Sequence, residues 1–456
     1  MIYIFPLHQP IWHGRQMKES IAATQIVICG AGIAGIATAY YLSVKYKQKD
    51  IVLIDSMLPM SLTTSKSGEN YRDYWPQACM TEFVSHSIDL MHSLNQSDTN
   101  PLFEMRDIGY DFISQKNAEI FPSSYTDSTS SNDYLLTTTD QDSLATKKPY
   151  LAESVNQVVH INRAGVLDVN ALGTLLLSKA KKAGVVFKQA HIENIERNAE
   201  NHYQLTFAQS EQKLVTEKLV ITAGPFCKHL AGMLDIDLPL ENYLQHKFII
   251  PDLANVVPRD MPFTIIADSQ YLNWNEQEKE MIESDDDYSH LLDLYPAGLH
   301  IKPEGSGQIK LGWAYNKIAE QPVWQPNCKE EFADIVMRGA SRYIPALSQY
   351  VEKMPTPIVH FSGYYTRTKE NWPLIGPLAL DNLYVVAGLS GYGTMSACAA
   401  GELCGQYIVN ENIDKFDIAH SYFEILPSYA RNFHPNRYSD HKIIKEIEMI
   451  SSDGQL

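Results

Sequence analysis

Apolar residues gather into three runs near the start of the chain: Ile26-Val27-Ile28-Cys29, a helical spread from Ile33 to Leu42, and Ile51-Val52-Leu53-Ile54. Short unbroken runs bounded by turn residues read as buried strands, and the middle run has the length of a helix. Residues 26–44 are apolar enough to suggest a membrane helix instead. Glycines at 30, 32 and 35 and a following strand closed by Asp55 fit a strand–turn–helix–strand unit better. In such a unit the first glycine allows a sharp turn. The second clears room for a diphosphate, and the third lets helix and strand pack closely. The helix then aims free N–H groups at an anion. Asp55 follows Gly30 by 25 residues, close to the usual offset of a carboxylate that accepts from ribose hydroxyls. A bound dinucleotide is the expectation.

The pattern continues with an amphipathic helix over Thr81–Leu94, with Phe83, Ile88, Leu90, Met91 and Leu94 facing a core. Residues 114–148 are rich in Ser, Thr and Asp and read as an exposed excursion. Asp168 is placed to cap a helix over Val169–Gly184, with Leu172, Leu175, Leu176 and Ala180 inward. The strand-like runs Gly184–Phe187, Ala190–Ile195 and Lys218–Phe226 then resume the nucleotide-binding pattern, so that domain is discontinuous. Residues 240–355 differ in texture, with Tyr, Trp and Pro and strand-like runs at Tyr243–Pro251, Leu299–Pro303 and Gln308–Trp313. They predict an antiparallel sheet, with the acidic run Glu276–Asp287 as a solvated insertion. A last strand, Leu383–Gly388, runs into a glycine turn and a helix, Leu389–Gly401. The expected class is α/β with an α+β second domain. A nucleotide domain spans 24–95, 155–238 and 356–415, and a substrate domain spans 96–154 and 239–355. Residues 1–23 form an N-terminal arm and 416–456 a C-terminal tail.

Composition narrows the function. The 456 residues suffice for two cores, and 45% hydrophobic with 20% charged residues is ordinary for a soluble chain. A formal charge of −17 excludes a nucleic-acid backbone as a natural partner. The six cysteines form no CxxC pair, and no His/Cys cluster has metal-ligand spacing. Free thiols in a reducing cytoplasm are expected, and no metal. The first 20 residues contain Pro6, His8, Pro10, His13 and Arg15 but no continuous apolar run, so no signal peptide is expected.

Seven separated blocks carry a resemblance: GAGIAG with VLID, TTSKSG, GVLDVN, ITAGPF, KPEGSGQIKLGW, GYYTRTKENWPLIGP and VVAGLSGYGTMSACAAGE. In this order, over roughly residues 24–410, they resemble the D-amino-acid oxidase family of FAD enzymes, nearest its sarcosine oxidase and glycine oxidase branch. The resemblance implies FAD extended across a discontinuous Rossmann-like domain, beside an antiparallel-sheet substrate domain. It carries flavin contacts onto Gly30, Ala31, Gly32, Ile33, Ala34 and Gly35, and onto Asp55 and Ser56. Further contacts fall on Thr64, Ser65, Gly68, Ile192, Ala223, Gly224 and Gly363, then on Ser390, Gly391, Gly393, Thr394 and Met395. The second glycine turn suits a flavin, because a helix N-terminus stabilises the ring edge that becomes negative on reduction.

The family reaction oxidises an amine carbon. A hydride passes to flavin N5, the imine is hydrolysed, and oxygen or another electron carrier is the acceptor. Lys310, in Gly307–Trp313, resembles the family lysine that promotes reaction with oxygen; a surface lysine on a strand is the plainer reading. Where glycine oxidase has a substrate-carboxylate arginine, this chain has Tyr365, leaving Arg367 and Arg72 as possible clamps. Tyr392 replaces a histidine common in relatives and either donates to flavin or substrate or packs. His246 has packing as its simpler role. Gly363 stands where some relatives attach the flavin through cysteine, and Leu62–Gly68 lacks the histidine that others use, so non-covalent FAD is expected. The expected substrate is a small amine or N-methyl amino acid. A dehydrogenase of the same fold and a flavin-binding subunit without activity are alternatives. So is carbon–oxygen oxidation of a phosphorylated substrate, which needs a cation cluster that residues 240–330 do not display.

Overall fold

The computed structural model describes residues 23–96, 101–121, 135–410 and 426–449. The expected arm up to residue 22, residues 122–134 of the polar excursion, and the tail segments 411–425 and 450–456 lie outside the described residues.

The first sheet is parallel at its centre, with Ser210–Ile221, Ala23–Cys29, Ile51–Asp55 and Val186–Gln189 side by side. Leu383–Ala387 lies on the other side of Ser210–Ile221, also parallel, so strands distant in sequence are neighbours. Ile192–Arg197 and Tyr203–Phe207 extend the sheet as an antiparallel hairpin. Parallel strands need cover on both faces, which is why these runs are almost wholly apolar. Helices Ile33–Tyr40, Ala78–Asn95, Val169–Lys182 and Gly393–Val409 supply that cover on one face. A Cβ on Gly401 would lie 2.6 Å from the Ala37 backbone, so the small residues of the last helix let it cross the first closely. Asp168 caps its helix, accepting from the Ala171 N–H at 2.8 Å.

The second sheet runs Val359–Arg367, Glu241–Pro251, Gln308–Trp313, Leu299–Glu304, Phe263–Ile266, Tyr110–Ser114, Gln157–Ile161 and Leu135–Thr138. One face packs on helix Phe332–Ser341 in a separate core. A small third sheet joins Asn70–Arg72, Ala164–Leu167 and Met105–Asp107.

Four sequence expectations change. Gln157–Ile161 and Val359–Arg367 belong to the second sheet, not to the nucleotide domain, because their hydrogen-bond partners are there. That sheet is also not purely antiparallel: Phe263–Ile266 pairs parallel with Tyr110–Ser114. Within the expected excursion, Leu135–Thr138 is a strand and Gln141–Lys147 a helix capped by Asp140. The described part of the tail, 426–449, packs onto the first core through Phe433 and Tyr429. There Arg437 is fully buried and donates from Nε to Glu370 Oε1 at 2.7 Å. All six cysteines are free. Among the described residues no helix is long and apolar enough to cross a membrane, and no side-chain cluster is arranged to hold a metal.

Candidate functional site

A cleft of ≈ 390 Å³ opens at the carboxyl ends of the parallel strands and reaches the second sheet. This is where doubly wound sheets bind ligands. Two glycines of the first turn are there for packing. Gly30 has φ +111°, and a Cβ on it would meet the Thr222 carbonyl oxygen at 2.5 Å. A Cβ on Gly35 would lie 1.9 Å from the Gly30 carbonyl oxygen. Gly32 differs, since the nearest atom to its Cβ position is Thr64 Oγ1 at 3.4 Å, so the turn stays open to the cleft. Asp55 braces the turn. Its Oδ2 accepts from the Ala31 N–H at 2.7 Å and its Oδ1 from the Met57 N–H at 2.9 Å. Burial nonetheless raises its pKa against those backbone bonds. Thr64 Oγ1 accepts from the Ile33 N–H at 3.1 Å, tying the TTSKSG loop to the helix start.

The far end of the cleft is built from the later blocks. Ser67 Oγ and Thr394 Oγ1 are 2.6 Å apart, joining the first loop to the last helix. Gly391 has φ +81°, and a Cβ there would strike the Tyr365 ring at 2.4 Å. The helix Gly393–Val409 begins at the cleft wall, so its positive end faces the cavity.

Beyond it lies one face of the second sheet. Phe361, Lys247, Gly312, His300, Ile265 and Phe112 stand opposite one another across six strands. Gly312 is small because a Cβ there would meet His300 Nε2 at 2.5 Å and Lys247 Cγ at 2.8 Å. Lys247 is 7% exposed, lines the cleft, and holds Nζ 5.3 Å from the centre of the Tyr365 ring. His300 is neutral: burial first, then Lys247, pull its pKa down to about 3. The sheet curls enough that Tyr365 bears on the ionisation of Tyr110, with four strands between them. Arg72 packs over the same face, with Cζ 4.2 Å from the Trp75 ring centre and 5.0 Å from that of Phe112. It is 3% exposed, its Nη1 has no hydrogen-bond partner, and desolvation pulls its pKa down to about 10. Among the described residues no carboxylate lies within ion-pair distance of Arg72 or Lys247.

The sequence-predicted residues divide accordingly. Gly30, Gly32, Ile33, Ala34, Asp55 and Ser56 line the cleft. Thr64, Gly68, Ile192, Ala223 and Gly224 line its middle. Gly363, Tyr365, Ser390, Gly391, Gly393 and Thr394 line its far end. Ala31 and Gly35 sit behind the turn, and Ser65 turns its hydroxyl to the Ser61 and Leu62 carbonyls. Met395 is buried in the helical core.

Lys310, Tyr392 and Arg367 are not among the residues that line the cleft. Lys310 shares the sheet face of Gly312 and His300 but is held between Glu304 Oε1 at 3.2 Å and Glu69 Oε2 at 3.6 Å, with Nζ 5.8 Å from the centre of the Phe361 ring. Tyr392 is buried against Trp75 and donates to the Asn371 carbonyl at 2.7 Å, so it packs. Arg367 stacks on Tyr243 at the sheet end. His246 faces the opposite core, with Nδ1 2.6 Å from Ser362 Oγ and its ring against Phe332. Sequence reasoning missed Lys247, Tyr110 and His300. The signal was alternation on Glu241–Pro251, where Gln245 and Lys247 share a face that a buried sheet would otherwise fill with apolar residues.

A model of the family described as FAD dependent oxidoreductase, DAO, matches residues 25–407. A search of curated proteins found no match. Among solved structures, L-proline dehydrogenase from P. horikoshii superposes with a TM-score of 0.69 at 19% identity, covering 92% of this chain and 98% of that one. Iminodiacetate oxidase from Chelativorans sp. BNC1 gives 0.65 at 14%, covering 88% and 99%. Glycine oxidase from Bacillus cereus gives 0.62 at 16%, covering 84% and 94%. At these identities the likeness is one of fold.

Proposed function

We propose, for a chain that belongs to the DAO family of FAD-dependent oxidoreductases, that it oxidises the C–N bond of a small amino acid or related amine. The cleft residues fit the cofactor. The open turn at Gly32 suits the diphosphate, Asp55 the ribose, and the helix start at Gly393 the electron-accepting edge of the ring. Nothing in the cleft calls for a covalent tether, so acid precipitation should release the flavin into solution. Bound FAD supplies the redox chemistry, accepting a hydride from the carbon beside nitrogen and leaving an imine that water hydrolyses.

The chain's own residues supply position and charge. One observation carries the reading: Arg72, a buried guanidinium with no counterion among the described residues, packs on Trp75 and on Phe112 of the cleft-facing row. A bidentate guanidinium is suited to an amino-acid carboxylate. Tyr365 lines the cleft and Tyr110 is buried near Arg72, so their rings would shield the reacting carbon from water. Two unmatched cations nearby also disfavour the substrate ammonium, so the amine is held as its free base. Oxygen is the proposed acceptor. The test is anaerobic mixing of the holoprotein with a panel of amines and amino acids, then readmission of air. Bleaching followed by peroxide supports the reading. Bleaching without rapid reoxidation points to a dehydrogenase, and no bleaching with any member sinks it.

A further inference from the structure

We infer that the substrate carries two carboxylates, one held by Arg72 and the other by Lys247; this rests on the amine-oxidising reading above. The argument begins with charge. On and beside the cleft-facing side of the second sheet stand four buried cations: Arg72, Lys247, Lys302 and Lys310. Two carboxylates answer them. Glu304 meets Lys302 at 3.2 Å and Lys310 at 3.2 Å, and Glu69 meets Lys310 at 3.6 Å. Both are spent on Lys302 and Lys310, two residues along the same face from His300 and Gly312. Arg72 and Lys247 keep no carboxylate among the described residues, and His300 between them is neutral.

Burying one unpaired cation is costly, and burying two of like sign around one space is costlier. Among the described residues the pair has no internal compensation, so the compensation comes from what binds. A monocarboxylate amino acid answers one cation, and its amine, used as the free base, answers neither.

The spacing of the two cations selects the shape of the dianion. Lys247 rises from the strand Glu241–Pro251, and Arg72 packs over Phe112, with Gly312, His300 and Ile265 between Lys247 and Phe112 in the row. Four strand spacings of about 4.8 Å separate Lys247 from Phe112 along the sheet. The curl brings Tyr365, beside Lys247, into electrostatic contact with Tyr110, beside Arg72, so the two anchors stand at opposite sides of one hollow. They are placed to grip two ends of a molecule rather than one atom. An amino- or imino-dicarboxylate of a few carbons has that form, whereas a single phosphate does not. Gly312 leaves room for the His300 ring and the Lys247 stem to lie side by side on the floor.

The holoprotein is titrated with succinate and glutarate, with acetate and propionate, and with inorganic phosphate, following flavin absorption and thermal midpoint. The dicarboxylates should bind about 30-fold tighter than the monocarboxylates or better, the equivalent of about 2 kcal/mol for a desolvated charge pair. Lys247→Met should reduce that ratio below about threefold, and Lys247→Arg should keep most of it. In anaerobic mixing, aspartate, glutamate and iminodiacetate should then bleach the flavin ahead of glycine, sarcosine and proline. Equal binding of mono- and dicarboxylates, tighter binding of phosphate, or a Lys247→Met variant with the ratio intact would overturn the inference. Dicarboxylate binding with no bleaching by any amine would leave it standing and sink the amine-oxidising reading.

Discussion

Replacing Arg72 by methionine should stabilise the substrate-free protein while removing its grip on substrate. The guanidinium is buried, its Nη1 is unbonded, and among the described residues it stacks on the Trp75 and Phe112 rings with Tyr74 and Tyr110 nearby. Burial draws its pKa down to about 10. At about 1.4 kcal/mol per pKa unit, keeping it charged in place costs on the order of 3 kcal/mol. Stacking on two rings returns about 1–2 kcal/mol. Methionine keeps most of the volume and makes its own sulfur–ring contacts. The variant should therefore be about 1–2 kcal/mol more stable. The pH dependence has a definite sign. Below pH about 10 the arginine is protonated in both folded and unfolded chains, so the gain should be constant near neutrality and shrink only above that value. Urea denaturation of apo- and holoprotein gives the stability, and anaerobic titration gives the substrate affinity. Arg72→Lys, which keeps charge without the planar fork, should bind weakly and show no comparable gain. A methionine variant less stable than the parent by about 1 kcal/mol or more would show that the fold itself uses the charge, and the case for a carboxylate clamp would fall.

Other expectations follow from the same geometry. Gly35→Ala puts a Cβ 1.9 Å from the Gly30 carbonyl oxygen, so it should cost about 1–3 kcal/mol and release flavin on desalting; a yellow variant of unchanged midpoint would contradict this. Lys310→Met strands Glu69, leaves Glu304 with Lys302 alone, and should lower the melting point clearly. It should also leave flavin reoxidation by oxygen within about threefold, because an ammonium already paired with two carboxylates offers little to developing superoxide; a tenfold slowing would restore Lys310 as the oxygen-promoting residue. Asp73 has both carboxylate oxygens buried without hydrogen bonds, and burial raises its pKa to about 6. A folded-state pKa above the unfolded one means stability is lost as pH rises through about 6. Asp73→Asn should therefore be about 1–2 kcal/mol more stable than the parent at pH about 7 and equal to it near pH 4; denaturation at the two pH values decides.

The parts legible in the sequence are those whose cause is local. The turn at Gly30–Gly35 can be read because each glycine answers a contact within one strand–helix unit or its nearest neighbour strand. The cap at Asp168 is equally short-range. Lys247 is of another kind. Its meaning depends on Phe361, Gly312 and His300, brought beside it by strands far apart in sequence, and on Glu69 and Glu304 choosing Lys310 instead. Lys310 and Lys247 look alike as letters on alternating strands, and only the pairing of carboxylates separates them. Tyr392 misled for a related reason: it precedes a helix at the cleft, but its hydroxyl is claimed by the Asn371 carbonyl on the packed side. The docking of 426–449 was hidden because its single strong anchor, Arg437, reads as one more surface charge until Glu370 is seen beneath it.

The threading of the first sheet bears on how the protein is made. Ser210–Ile221 lies between Ala23–Cys29 and Leu383–Ala387, so the walls of the cleft come from both ends of the chain. During synthesis the opening turn emerges early but cannot acquire its far wall until Gly391 and the following helix have left the ribosome. Until then Leu219–Ile221 presents a bare apolar edge, open to wrong partners. Contacts of such long sequence separation also make for slow closure. Flavin added during translation therefore has no finished groove to enter, and cofactor capture is a late event that seals a nearly complete chain. A fragment ending before Leu383 should accumulate as aggregate with or without FAD in the medium.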